Sequence, residues 1–139
     1  MLSSEGPRYR LNLAEGFRLE AHEDIQLKRW RSCVDNSQLA VENAAKVALA
    51  LLGPVGRTHD PAKLIRKLLD ANRFPTEIRS RVDRLAECAE VLGPQIHIQS
   101  DYGDDERMKT PWQLFGETAA RDALETAEEA LQIAGELVK

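Results

Sequence analysis

Residues 40–60 read AVENAAKVALALLGPVGRTHD. Alanine, valine and leucine recur through its first half, and Gly53-Pro54 ends the run. Short side chains let a second helix come close, within the usual axial separation of about 8–10 Å. The stretch therefore predicts a helix that is packed rather than solvated. Glycine suits the backbone just past a helix end, and proline cannot continue the ladder. The chain then turns through Arg57-Thr58-His59-Asp60, a basic corner with a histidine. Such a corner is either a plain turn or the edge of a ligand site.

Beyond that stretch, helical spacing dominates. A first helix is expected over Leu11 to Lys28, carrying Leu13, Phe17, Ala21 and Ile25. A second spans Trp30 to Leu52, with Cys33, Ser37, Ala40, Val41, Ala44, Ala45 and Ala48 turned inward. Asp60-Pro61 restarts a short helix to about Ala71: aspartate caps, and proline is at home in the first turn. Phe74-Pro75-Thr76 is the next corner, and Ile78, Val82, Leu85, Ala89 and Leu92 carry a helix to Gly93-Pro94. Residues 93–110 read as a long loop with one β-like patch, Ile96-His97-Ile98. Thr110-Pro111-Trp112-Gln113 has the form of a capping box. It opens a last helix to Val138, with Phe115, Ala119, Ala123, Ala127, Leu131 and Ala134 on one seam. The expected fold is all-α, an antiparallel bundle of four to five helices in one domain over residues 11–139. MLSSEGPRYR, residues 1–10, reads as a frayed leader.

The 139 residues are 42% hydrophobic and 30% charged, with a net charge of −4. No apolar run is long enough for a membrane span, and no signal-peptide pattern opens the chain. Cys33 and Cys88 lack partners at metal spacing and read as buried thiols, which fits a cytoplasmic setting. Charge is uneven: net 0 over residues 1–56, +4 over 57–84 and −8 over 85–139. That asymmetry predicts complementary helix faces, a local anion site, or both.

Four stretches in order carry a resemblance. They are Ala21-His22-Glu23-Asp24-Ile25, the helix QLAVENAAKVAL at residues 38–49, Thr58-His59-Asp60 before a leucine-rich helix, and Ser100-Asp101-Tyr102-Gly103-Asp104 before an alanine-rich one. Together they resemble the HEPN domain family. The resemblance implies a helical bundle, usually a homodimer, associated with nucleotide or RNA binding. Many such domains pair with a small nucleotidyltransferase as toxin and antitoxin. Some are metal-independent ribonucleases that use an Arg and a His with four to six residues between them. This chain departs from that last pattern: Arg18 and His22 have three residues between them, and Arg57 and His59 have one. Asp101 also stands where the family usually has an Arg before the Tyr. A binding module is therefore expected ahead of a ribonuclease, with a helical interaction scaffold as a further alternative. No catalytic residue, metal or cofactor is assigned.

The candidate ligand residues are Arg57, His59 and Asp60 at the corner, Glu42 and Lys46 on the second helix, and His97 and Tyr102 in the loop. Backbone N–H groups after Asp60 and the Arg57 guanidinium suit a phosphate. Glu42 and Lys46 form an i,i+4 pair that the resemblance turns toward a central groove, where Asn43 can join them. An imidazole and a phenol, His97 and Tyr102, suit a base or phosphate. Lys28, Arg29 and Arg31 surround Trp30, a set that either stacks a base or plugs the bundle with its cations in water. His22 is expected to make a structural hydrogen bond.

Overall fold

Three helices start on a proline, whose missing N–H costs nothing in a first turn. The computed structural model describes residues 5–139, and within them helices follow one another without a strand. α1 spans Glu5–Gln26, α2 Trp30–Ala50, α3 Pro61–Asp70, α4 Arg79–Val91, α5 Pro94–Tyr102, α6 Pro111–Leu114 and α7 Glu117–Val138. α2 lies at the centre: it packs against α1 and α7 along its length and also touches α3, α4, α5 and α6.

Every residue from Ala40 to Ala50 is buried. On α7, Ala123, Ala127 and Ala134 are buried as the sequence predicts, joined by Ala120 and Ala130, while Ala119 of the expected seam is only half-buried; two alanine seams meet. Bulk comes from elsewhere, chiefly Ile65, Phe74, Val82, Leu85 and Phe115. Cys33 and Cys88 are free and buried, and burial pushes each thiol up to about 11. The basic middle and acidic tail do face each other: Arg81 pairs with Glu136 at 3.0 Å and Arg84 with Glu129 at 2.8 Å across α4 and α7. Exposed pairs of this kind contribute little to stability. No helix among the described residues is long and apolar enough to cross a membrane.

The corners read from sequence are largely present. Asp60 caps α3, accepting from the Lys63 N–H, and Thr110 with Gln113 completes a capping box at α6. Four boundaries differ. α1 begins at Glu5, so residues 5–10 of the expected leader are helical; residues 1–4 lie outside the described residues. Buried Pro7, inside the first turn, is compatible with that start. Thr76–Ile78 is a tight 3-10 turn, and the α-helix proper starts at Arg79. The last helix is broken, because Phe115 and Gly116 adopt extended backbone between α6 and α7.

The fourth difference matters most for the site. Much of the expected loop, with its β-like Ile96-His97-Ile98, is the helix α5. Gly93-Pro94 ends α4 and starts α5 at once, by the same first-turn preference as Pro61 and Pro111. α5 stops at Gly103, whose φ of 79° is open to glycine. A Cβ there would collide with the Lys109 carbonyl. Residues 104–109 form a turn closed by an isolated bridge between Asp104 and Lys109.

Candidate functional site

α2 carries polar side chains at Arg31, Asp35, Gln38, Glu42 and Lys46, at steps of four, three, four and four. That spacing keeps them on one face of a helix. α5 lies against α2 and adds His97, Ser100 and Asp101 at i, i+3 and i+4. The corner before α3 brings in His59.

At one end, the Arg31 guanidinium donates to the Ser100 carbonyl at 2.8 Å and sits 3.7 Å from the Asp101 carboxylate. The Ser100 hydroxyl donates to Asp35 Oδ1 at 3.0 Å. His97 lies between two carboxylates, its Nδ1 3.7 Å from Asp35 and its Nε2 3.6 Å from Asp101. Burial, and then the nearby Asp101 charge, push the Asp35 carboxyl above its usual range; the Ser100 hydrogen bond, Arg31 and His97 oppose this. Asp35, His97 and Asp101 each offer a donor atom within 4.8 Å of the others, a set able to hold a divalent cation.

Toward the other end, Glu42 and Lys46 are both buried, with Lys46 Nζ 3.3 Å from Glu42 Oε2. Glu42 Oε1 is buried without a hydrogen bond, and His59 Nδ1 stands 3.7 Å from it. His59 is 76% exposed, so it covers Glu42 while its own outer edge meets solvent. The His59 and His97 rings are parallel within 6°, their centroids 6.2 Å apart. Of the sequence candidates, Glu42 and Lys46 thus form a buried pair beside His59, whose ring parallels that of His97.

The other candidates stand differently. Asp60 occupies the α3 N-terminus with its own carboxylate, and its N–H donates to the Thr58 hydroxyl at 3.0 Å. An acid in the cap fills the place where the corner would otherwise receive a phosphate. Arg57 is exposed and makes no ion pair among the described residues. Tyr102 is 77% exposed and lines a shallow hollow with Asp104, Met108 and Pro111, apart from the histidines. Asn43 gives its amide to the Leu39 carbonyl and does not join Glu42. His22 is exposed on α1 and makes no hydrogen bond among the described residues. Gly53–Gly56 borders an apolar hollow of about 330 Å³ with Leu49, Leu52 and Leu68, so the bend does meet a concavity.

Sequence reasoning misses Asp35 and Ser100, and reads Asp101 only as loop acid. Asp35 is visible as the α2 residue seven before Glu42 and four after Arg31. Ser100 and Asp101 need α5 to be read as a helix first.

A family model described as HEPN domain matches residues 8–137. The crystal structure of TT1696 from Thermus thermophilus is similar with a TM-score of 0.68, covering 94% of this chain and 96% of that one at 20% identity. Similarity at that identity speaks for the fold alone. No curated protein matches the chain.

Proposed function

The chain belongs to the HEPN family, and on that premise we propose that it is a helical module binding nucleotide or RNA phosphate at the His59–His97 edge of the α2–α5 face. One observation carries this reading: two parallel imidazoles 6.2 Å apart, each backed by a carboxylate. Glu42 stands at Nδ1 of His59 and leaves its Nε2 free, a donor when the ring is protonated, whereas both nitrogens of His97 face carboxylates. The His59 Nε2 and the exposed Arg57 guanidinium on the same corner suit the oxygens of one phosphate, with the His97 ring parallel to His59 behind them. Asp101 on the rim opposes anions, so the surface selects a shaped ligand rather than any polyanion. A homodimer, a small nucleotidyltransferase as partner and a toxin–antitoxin role complete the proposal on the strength of the family, and a cytoplasmic location on that of the two free thiols.

The histidine pair also supports a second reading, a metal-independent ribonuclease. One imidazole would take the proton of an RNA 2′-hydroxyl as it attacks the phosphate, and the other would protonate the departing 5′-oxygen. The family's Arg-to-His spacing is missing, so binding is the first reading.

One experiment separates them: a labelled single-stranded RNA oligomer, titrated in EDTA and followed by anisotropy and by gel. Arg57→Ala with His59→Ala, and separately His97→Ala, should weaken binding about tenfold or more, as loss of charge-assisted contacts does. Unchanged affinity in folded variants removes the site. Cleavage that survives EDTA and is lost on either histidine substitution selects the ribonuclease. A monomer at tens of micromolar by light scattering removes the homodimer.

A further inference from the structure

We propose that the hollow between Trp30 and Trp112 seats an unpaired nucleobase, so that the ligand is a segment of single-stranded RNA rather than a lone nucleotide. The inference rests on the phosphate reading above and places a second subsite beside it.

The hollow has a volume of about 480 Å³, inside the usual range for small-molecule sites of roughly 300–1,000 Å³. Lys28, Arg29, Trp30, Arg31, Trp112 and Phe115 line it. Trp112 is 72% exposed, although an indole normally gains by burial. It sits on α6, a single turn held by the Thr110–Gln113 capping box, whose two bonds join side chain to backbone. The Arg31 guanidinium lies 5.7 Å from the Trp112 ring centroid and is itself anchored on the Ser100 carbonyl. Trp112 thus presents a flat face to solvent beside the Arg31 guanidinium.

Cations flank it. The α1–α2 turn puts Lys28 in left-handed backbone, with φ 60°, a conformation costly for a lysine. The turn is closed by Arg29 N–H donating to the Asp24 carbonyl at 2.8 Å. Lys28 and Arg29 are exposed, and neither makes an ion pair among the described residues. Arg18, Arg66, Arg84 and Arg121 are tied up with carboxylates, whereas Lys28 and Arg29 are adjacent and border an exposed indole.

A flat π surface with unpaired cations at its edge matches a base and its phosphate. Stacking reads no base edge, so the subsite tolerates sequence. Arg31 links the two regions: it faces Trp112 on one side and, through Ser100 and Asp101, meets His97 on the other. A strand with one base on Trp112 therefore runs along α2 toward the histidines.

The chain has only two tryptophans, and both line this hollow, so intrinsic fluorescence reports on it directly. A hexauridylate should quench the emission, while inorganic phosphate should not. By anisotropy of labelled hexauridylate, Trp112→Ala should weaken binding about five- to 150-fold, the range for loss of one stacked base. Lys28→Ala with Arg29→Ala should lower the magnitude of the log affinity versus log salt slope by about 1.4. Trp112 is largely exposed, so its removal leaves the fold intact, which circular dichroism checks. Unchanged affinity in Trp112→Ala, or displacement of the RNA from both proteins equally well by polyphosphate, overturns the stacking subsite. If that variant binds normally while Arg57→Ala with His59→Ala does not, the hollow fails and the phosphate reading survives. The reverse pattern, quenching retained in the Arg57/His59 variant at full affinity, removes the phosphate site and leaves the hollow standing alone.

Discussion

Lys46→Met tests the buried charge pair at the centre of the site. Lys46 is 7% exposed and Glu42 5%, and they meet at 3.3 Å within α2. Taking the ammonium away strands a carboxylate whose Oε1 already lacks a hydrogen bond. The remaining nearby donor is His59, at 3.7 Å and largely in water. Breaking a buried pair from one side costs about 3–5 kcal/mol. With an unfolding entropy of about 2.1 cal/mol/K per residue, a chain of this size loses roughly 10–17 °C in melting temperature. Replacing both partners, Lys46→Met with Glu42→Gln, leaves no stranded charge and should recover most of that loss. Melts at 222 nm and urea titrations at pH 8 give the cycle. A single variant within about 1 kcal/mol of the parent would refute the claim that the pair is desolvated. A double variant as unstable as the single one would show that shape, not charge, set the cost.

Asp35→Asn should raise stability at neutral pH. The folded chain holds the Asp35 proton to a higher pH than the unfolded one, so stability is lost as pH rises from the ordinary 3.8 through the raised folded value. Asparagine keeps an acceptor for the Ser100 hydroxyl and removes that loss, so the gain in urea midpoint should be larger at pH 7 than at pH 4; an equal change at both refutes the linkage. Ala127→Leu, in the fully buried α7 seam, should cost about 1–3 kcal/mol by overpacking. A neutral result by denaturant titration would mean that the two alanine seams are not in close contact.

Local chemistry makes the corners legible. Asp60-Pro61 and Thr110-Pro111 are caps whose partners lie three residues away, so spacing alone reveals them. The alanines of residues 40–50 and 119–134 announce close packing for the same reason. Gly93-Pro94 is ambiguous, since the pair that stops one helix also starts the next. Reading it only as a stop hides α5, and with it the Asp35–Ser100 hydrogen bond that spans 65 residues. Glu42 and Lys46 are visible as a pair, but only burial distinguishes theirs from an ordinary surface pair. The site's outer half is less legible, because nothing local to Tyr102 says that it lines a hollow His97 does not share.

The enclosure of α2 has a consequence for motion. Amide protons leave a helix by local opening, and the free energy of opening rises with the number of neighbours that must separate. Ala40 to Ala50 is buried throughout, so no fraying of a surface turn exposes it. Its amides should exchange with deuterium last, at the rate of global unfolding. The carboxylate and ammonium at the centre of the candidate site are thus carried by the slowest-opening segment of the chain, and any adaptation to a ligand falls to α5, α6 and the Arg57–Asp60 corner.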